Sequence, residues 1–390
     1  MIFQINKKKI ILVGLLIFSV CACGFSSVDI AELEKERVIR LADSYLNEKP
    51  ITVTDFKAER SAGGIHDYYS EGDYWWPNPK DPNAPYIRKD GLTNPDNFVS
   101  HRKAMRRFSL IVPALVGAYK ITEDPKYLNA ALKHIEAWFV NEATKMNPNL
   151  LYSQAIFGKA TGRGIGIIDT IHLVEIVQSL IVLDSYSVID QSRMEKIKAW
   201  FSEYLEWLTT SDFGIAERDN GNNHSTCWLM QVGIYAKFVD DSQTLKYCRD
   251  FFKIEIIESQ MATDGSFPLE LKRTKPYGYS LFNLDALVIC AKILSNDENN
   301  LWEYRTENGR SVKLAVDFMY PFIKDKSVWP YEKDVMYWEN WPVRHPSLIF
   351  AYEAFGEKKY VDLWIELEPE PQMEEIIRNY PLRQPILWID

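Results

Sequence analysis

The chain is poor in the residues that mark most kinds of site. It has six histidines and five cysteines in 390 residues. Cys21, Cys23, Cys227, Cys248 and Cys290 are scattered, with neither the spacing of a zinc site nor that of a disulfide framework. Cys227, Cys248 and Cys290 read instead as small buried apolar residues. No Gly/Ser-rich or Pro-rich linker and no low-complexity tract breaks the middle of the chain, so nothing marks an internal domain boundary. Carboxylates are plentiful but show no calcium-type spacing near the aromatic loops, so neither a metal nor a cofactor is expected. Gly162-Arg163-Gly164-Ile165-Gly166 superficially resembles a phosphate-binding loop, but no strand precedes it, which excludes a dinucleotide site. Lys and Arg total 45 against 54 Asp and Glu, a net charge of -9 that makes nucleic acid an unfavourable partner.

What is present begins with a leader. Lys7-Lys8-Lys9 precede an apolar run over residues 10–20, a basic segment followed by a hydrophobic one too short to span a bilayer. It ends in Val20-Cys21-Ala22-Cys23-Gly24, which fits a bacterial lipobox with small Ala22 before Cys23. The expectation is a signal peptide over residues 1–22 and a lipid on the Cys23 thiol. That lipid would anchor the remaining 23–390 domain to a membrane of the cell envelope, facing the periplasm. The plain alternative is an ordinary signal peptide cut near Cys23.

Helical periodicity runs the length of the chain, over 30–46, 98–119, 127–139, 167–183, 193–208, 224–238, 245–261, 281–294, 311–323, 346–355 and 359–364. Asp124-Pro125, Asp190-Gln191-Ser192 and Asp241-Ser242 supply start signals. Strand-like alternation is scarce. Helices in series with short connections predict an all-α fold of antiparallel pairs closed into an α/α toroid, a single domain, with an open superhelical solenoid as the alternative. No fixed repeat length is visible, which favours the closed form.

Three long non-helical stretches stand out, since loops on a rigid scaffold usually carry function. Residues 60–79 hold His66, Tyr68, Tyr69, Tyr74, Trp75 and Trp76 among glycines and prolines. Tyr68, Tyr69 and His66 are read as sugar contacts. Trp75 and Trp76 are read equally as a sugar platform or a packed plug. Residues 146–166 contribute Gln154 and Arg163 as substrate-contacting groups. Residues 338–346 form another aromatic and basic loop, with Arg344 as a further contact.

The densest chemistry lies in Asn222-Asn223-His224 and, about fifty residues on, in Asp264-Gly265-Ser266-Phe267-Pro268-Leu269-Glu270-Leu271-Lys272-Arg273 with Tyr277-Gly278-Tyr279. An amide, an imidazole, a guanidinium and two phenols suit removal of a carbon-bound proton beside a carboxylate. The amide and guanidinium can hold the carboxylate, while the imidazole and a phenol move the proton. Arg and Lys in a cleft can override the net negative charge, so an acidic polysaccharide remains a fitting partner. One asparagine of the pair is expected to cap the helix, leaving the other for substrate. A free phenol titrates near ~10, so a catalytic tyrosine is expected to need positive charge from Arg273 and a protonated His224. Where the C5 hydrogen and C4 oxygen lie on the same side, as in mannuronate and glucuronate, one phenol can serve both steps. Guluronate would need a separate base, for which His224 is the second member.

These blocks together resemble the alginate lyase superfamily of polysaccharide lyases, family 5 and more closely family 38, over most of the chain. The resemblance implies β-elimination of a uronate polymer, mannuronate-rich alginate or glucuronan, leaving 4,5-unsaturated ends. It implies carboxylate-neutralising roles for Asn223 and Arg273, an assisting His224 and a proton-transferring tyrosine. Family 5 spaces its Arg and Tyr slightly wider than Arg273 and Tyr279, which leaves Tyr277 beside Tyr279 as a candidate. The helix start that follows aligns better with Tyr279. Two other classes stay open: an unsaturated uronyl hydrolase, which would need paired carboxylates, and a non-catalytic glycan-binding lipoprotein.

Overall fold

The computed structural model describes residues 28–389 apart from Pro82, and over them helices dominate, as the periodicity predicts. The leader and Cys23 lie outside the described residues. Helix α1 spans Ile30–Tyr45, α2 Ser100–Thr122, α3 Pro125–Phe139, α4 Leu173–Ser185, α5 Gln191–Thr210, α6 Asp212–Arg218 and α7 Asn223–Phe238. Then come α8 at Ser242–Phe251, α9 Pro268–Leu271, α10 Pro276–Leu294, α11 Val312–Lys324, α12 Pro346–Phe355, α13 Lys358–Glu366 and α14 Glu374–Arg378. The start signals are working caps. Asp124 accepts from Lys126 N at 2.9 Å, Asp190 from Arg193 N at 3.0 Å and Asp241 from Thr244 N at 3.0 Å. Each such cap stabilises its helix by about 1 kcal/mol.

Helices α2, α4, α7, α10 and α12 pack side by side in that order as an inner layer. Almost every residue of α7 and α10 is buried, as a helix enclosed on all sides requires. Helices α3, α5, α8, α11 and α13 lie outside them. Helix α5 shows the one-sided pattern, burying Met194, Ile197, Trp200, Phe201, Tyr204, Leu205 and Leu208, residues on one face of a 3.6-residue turn. The ring closes through the C-terminal tail and α1. Lys120 of α2 and Gln178 of α4 donate to the Ile386 and Leu387 carbonyls, and Trp388 packs on Phe350 of α12. The fold is an α/α toroid.

The structure differs from the expected helices in three respects. The 167–183 segment opens as a 3-10 helix, Gly164–Thr170, before α4. The 245–261 segment is α8 followed by a π-helix, Phe252–Gln260. Helices α6, α9 and α14 are too short for hydrophobic periodicity to register. Among the described residues four short strands also form: β1 Tyr69–Glu71, β2 Trp75–Trp76, β3 Ile87–Arg88 and β4 Tyr152–Ala155. β1 pairs in parallel with β4, and β2 antiparallel with β3. They wall the end of the toroid at which α7 and α10 begin. Buried Arg102 of α2 ties this wall down, binding Asp73 at 2.6 Å and Asp169 at 3.2 Å.

Candidate active site

A cleft of about 390 Å³ opens at that end. The strand wall supplies Tyr74, Trp75, Arg88, Gln154 and Arg163, the start of α7 supplies Asn222, Asn223 and His224, and the start of α10 adds Arg273 and Tyr279. Glu375, Arg378 and Asn379 close it from α14 and its end.

The two asparagines divide the work. Asn222 Oδ1 accepts from His224 N at 3.0 Å and caps α7. Asn223 is the first helical residue, and its backbone N and side-chain Nδ2 each donate to the Glu270 carboxylate at 2.7 Å. The second Nδ2 hydrogen of Asn223 can serve another acceptor. Burial pushes the Glu270 carboxyl above its usual range, against the pull of the Asn223 bonds. His224 Nδ1 donates to Glu217 Oε1 at 2.8 Å, so Nε2 is the ring nitrogen available to substrate. Glu217 is fully buried, and burial raises its pKa while His224 opposes the rise.

Tyr279 lies beneath the Arg273 guanidinium, 4.2 Å from the ring centroid. Arg273 Nη2 donates to Tyr279 Oη at 3.1 Å, and the Tyr74 and Tyr279 hydroxyls share a hydrogen bond of 2.7 Å. The expectation that positive charge would lower this phenol is corrected. Burial dominates and holds the Tyr279 pKa well above 10.0, with Lys275 and Arg273 pulling the other way. The phenol therefore carries its proton at rest. Tyr277 is a second correction. It is fully buried, packs against Trp329 and Trp338, and donates to the Phe322 carbonyl at 3.0 Å. Two residues on an α-helix point about 200° apart, so Tyr277 faces the core while Tyr279 faces the cleft.

The loop candidates separate in the same way. Gln154 and Arg163 line the cleft, joined by Arg163 Nη2 donating to Gln154 Oε1 at 3.2 Å. Burial lowers the Arg163 pKa to about 10. Trp75 lines it too, but Lys159 and Arg163 sit over its ring at 4.6 and 5.8 Å, and Lys89 sits 4.6 Å over Trp76. The indoles hold cations rather than offering two open faces. Tyr68 and Tyr69 are buried, their hydroxyls donating to Asp169 at 3.3 Å and Glu71 at 3.0 Å. His66 donates from Nδ1 to the Lys145 carbonyl at 2.7 Å, away from the cleft lining. Arg344 stacks on Trp364 and binds Glu34 at 2.7 Å between α1 and α13, also outside the lining. Those four fasten loops to the scaffold.

Sequence reasoning passed over Tyr74, Glu217, Glu375 and Arg378. Tyr74 lay in a loop whose other aromatics drew the assignment. Glu217 stands seven residues before His224 on an unanticipated helix. Glu375 and Arg378 come from a tail with no motif. Asp73 binds Arg102 at 2.6 Å and Arg378 at 2.7 Å. Burial alone would raise the Asp73 pKa, but the two guanidiniums outweigh it and hold it at about 2.

A toroid of paired helices whose cleft gathers an amide, an imidazole, a guanidinium and a phenol defines a polysaccharide lyase, an enzyme that breaks a carbon–oxygen bond by elimination. The alginate lyase family model matches residues 52–329, and the chain belongs to that family. An alginate lyase from Bacteroides ovatus shares 29% identity and a TM-score of 0.79, over 92% of this chain and 96% of that one. Alginate lyase A1-III from Sphingomonas species A1 shares the fold at 14% identity and a TM-score of 0.57, over 90% and 94% of the two chains. A variant of A1-III complexed with a tetrasaccharide gives 14% and 0.58, over 92% and 94%. No curated protein matches the sequence.

Proposed function

We propose that this lyase cleaves a polyuronate, mannuronate-rich alginate or glucuronan, with Tyr279 as the proton-transferring phenol. The observation that carries the reading is the Arg273–Tyr279 contact inside a cleft that also presents Asn223 and His224. Asn223 and Arg273 bind the uronate carboxylate and stabilise the enolate-like charge that develops as the C5 proton leaves. Arg273, already donating to the phenol oxygen, stabilises the phenolate that Tyr279 becomes once its resting proton has passed to solvent. That phenolate takes the C5 proton and then hands the same proton to the C4 oxygen as the C4–O bond breaks, leaving a C4–C5 double bond. Arg88, Arg163 and Arg378 lend the cleft the positive character an anionic chain needs.

The raised Tyr279 pKa favours a second arrangement of the same chemistry. In it Tyr279 acts only as the acid, and His224 Nε2, aligned by the Glu217 bond, takes the C5 proton. The single-phenol scheme suits same-side elimination and the two-residue scheme suits guluronate. A panel of mannuronan, guluronan, glucuronan and glycosaminoglycans, scored for ultraviolet-absorbing unsaturated ends, tests both. Fastest cleavage of mannuronan or glucuronan supports the first scheme, and fastest cleavage of guluronan replaces it with the second. No unsaturated product from any polyuronate rejects the substrate assignment.

The acidic residues lining the cleft argue against the hydrolase alternative. They are Asp73 and Glu375, and both are bound to Arg378, with Glu375 also bound to Lys275 at 2.8 Å. A hydrolase needs two carboxyls free for acid and base work. A lipid on Cys23 would hold the enzyme at a membrane of the cell envelope, facing the periplasm. This placement is supported by the lipobox pattern, and release of the Cys23→Ser protein into the soluble fraction would test it.

A further inference from the structure

The chemistry sits on two helices, with Asn223 and His224 at the start of α7 and Tyr279 in the first turns of α10. Their relative position decides whether the carboxylate-binding and proton-transferring groups meet one sugar. A buried side chain that belongs to neither helix, and lies outside the cleft lining, hydrogen-bonds to both. Gln260 Nε2 donates to the Asn222 carbonyl at 2.8 Å. Its Oε1 accepts from Thr226 Oγ1 of α7 at 3.1 Å and from Asn283 Nδ2 of α10 at 2.7 Å. Asn222 is the cap on which Asn223 and His224 follow, and Asn283 stands one turn beyond Tyr279. Gln260 is only 6% exposed.

An unusual backbone delivers this amide. Gln260 is the last residue of the π-helix Phe252–Gln260, in which Ser259 Oγ donates to the Ile254 carbonyl five residues back. Wide turns of this kind are rare, occur mostly as single turns, and cluster at functional sites. Each inserts a residue relative to an α-helix and so turns the side chains that follow onto a new face. Here that face meets the junction of α7 and α10.

We propose that Gln260 is a positioning residue for the elimination, clamping the Asn222–His224 turn to the Tyr279 helix. It touches no substrate and acts through Asn223, His224 and Tyr279. The inference rests on the lyase reading, and its physical basis is alignment. A displacement of about 1 Å of a reacting group can cost on the order of 100-fold in rate, whereas substrate affinity is spread over many contacts.

The test measures kcat, KM, oligouronate binding and thermal stability for Gln260→Met, Gln260→Glu and Thr226→Val. Gln260→Met keeps the length and removes all three bonds. It should lower kcat by about 10- to 100-fold while KM stays within about threefold. Gln260→Glu should show a deficit that shrinks at low pH, because a protonated carboxyl again offers a donor to the Asn222 carbonyl. Thr226→Val removes one bond with almost no change of shape and should lower kcat a few-fold. It carries the test if Gln260→Met does not fold. Folded Gln260→Met with kcat within about twofold of wild type overturns the proposal, as does an unchanged kcat in Thr226→Val. A fall in oligouronate binding parallel to the fall in kcat also overturns it, by making Gln260 a general packing residue. Absence of unsaturated product from the wild-type protein would instead count against the lyase reading.

Discussion

The hydroxyls of Tyr74 and Tyr279 lie 2.7 Å apart, although 205 residues separate them in the chain. Tyr74 reaches Tyr279 because the loop that carries it is pinned by a buried ion pair. Asp73, its neighbour, is held by Arg102 of α2 and Arg378 of α14. The strand wall, an inner helix and the C-terminal tail thus meet one residue away from the phenol pair. Arg273 then donates to Tyr279 from the other direction. A phenol with a hydroxyl partner and a guanidinium on its oxygen has a fixed hydrogen-bond geometry and a charge to stabilise its phenolate.

Replacing Tyr279 with Phe should reduce turnover by about 10²- to 10⁴-fold, the range for loss of a general acid–base group. Folding and oligouronate binding should be retained, because the ring and its packing under Arg273 remain when the hydroxyl is lost. Tyr277→Phe should do the opposite. It removes a buried hydrogen bond to the Phe322 carbonyl, costing about 1 kcal/mol of stability, and leaves turnover near wild type. Product absorbance and thermal melts on the two variants separate the roles. A dead Tyr277→Phe beside an active Tyr279→Phe would exchange the assignments.

The legible and illegible parts of this molecule differ in a physical way. Helices such as α5 were readable because burying one face imposes a 3.6-residue spacing on the sequence. The caps Asp124, Asp190 and Asp241 were readable because an orphan backbone donor needs a short acceptor at one position. Asn223, His224, Arg273 and Tyr279 fell within two compact blocks, and the fold brings those blocks to one cleft. Tyr68, Tyr69, His66 and Arg344 had the right chemistry for sugar binding, but their orientation depends on distant partners such as Asp169 and Glu34. Glu217, Arg378 and Gln260 act through contacts made only after folding, and nothing local marks them.

The Asp73 ion pairs set an acid limit on stability. The folded pKa is depressed to about 2, below the ordinary value near 3.9. Their contribution is therefore complete above pH ~4 and is lost as pH falls from there toward 2. It amounts to on the order of 2 kcal/mol. Asp73→Asn should melt well below wild type at neutral pH, and the gap should narrow below pH ~4. Melting curves from pH 2.5 to 7 check this, and a gap independent of pH would assign the stabilisation elsewhere.

Activity should survive exhaustive chelation. The groups assigned to the substrate carboxylate are Asn223 and Arg273, and the acidic cleft residues Asp73 and Glu375 are already bound by Arg102, Arg378 and Lys275. A divalent ion would have to compete with those cations for its ligands. Rates before and after dialysis against a chelator should agree within about twofold. Full loss, restored by added calcium, would require a metal in the elimination step.

Glu217 offers the sharpest separation of activity from stability. Its Oε1 accepts from His224 Nδ1 at 2.8 Å and its Oε2 from Asn220 Nδ2 at 3.2 Å. The carboxylate serves two donors, which an amide cannot do with both of its ends. In Glu217→Gln one end presents N–H groups to a donor, so either Asn220 or His224 must turn away. If His224 turns, its Nε2 no longer faces substrate in the state that accepts a proton. Turnover should fall by about 10²- to 10⁴-fold, as when the carboxylate orienting a catalytic imidazole is neutralised. KM should change little, since in the proposed scheme Asn223 and Arg273 hold the substrate carboxylate. Stability should change by no more than about 1 kcal/mol, because the hydrogen bond that is lost is offset by relief of the burial penalty on the Glu217 charge. Steady-state kinetics and a thermal melt on the same preparation test both halves. A fully active variant would show either that Asn220 turns and the amide oxygen still holds His224, or that the chemistry does not need that orientation; Glu217→Ala, which removes both bonds, separates the two.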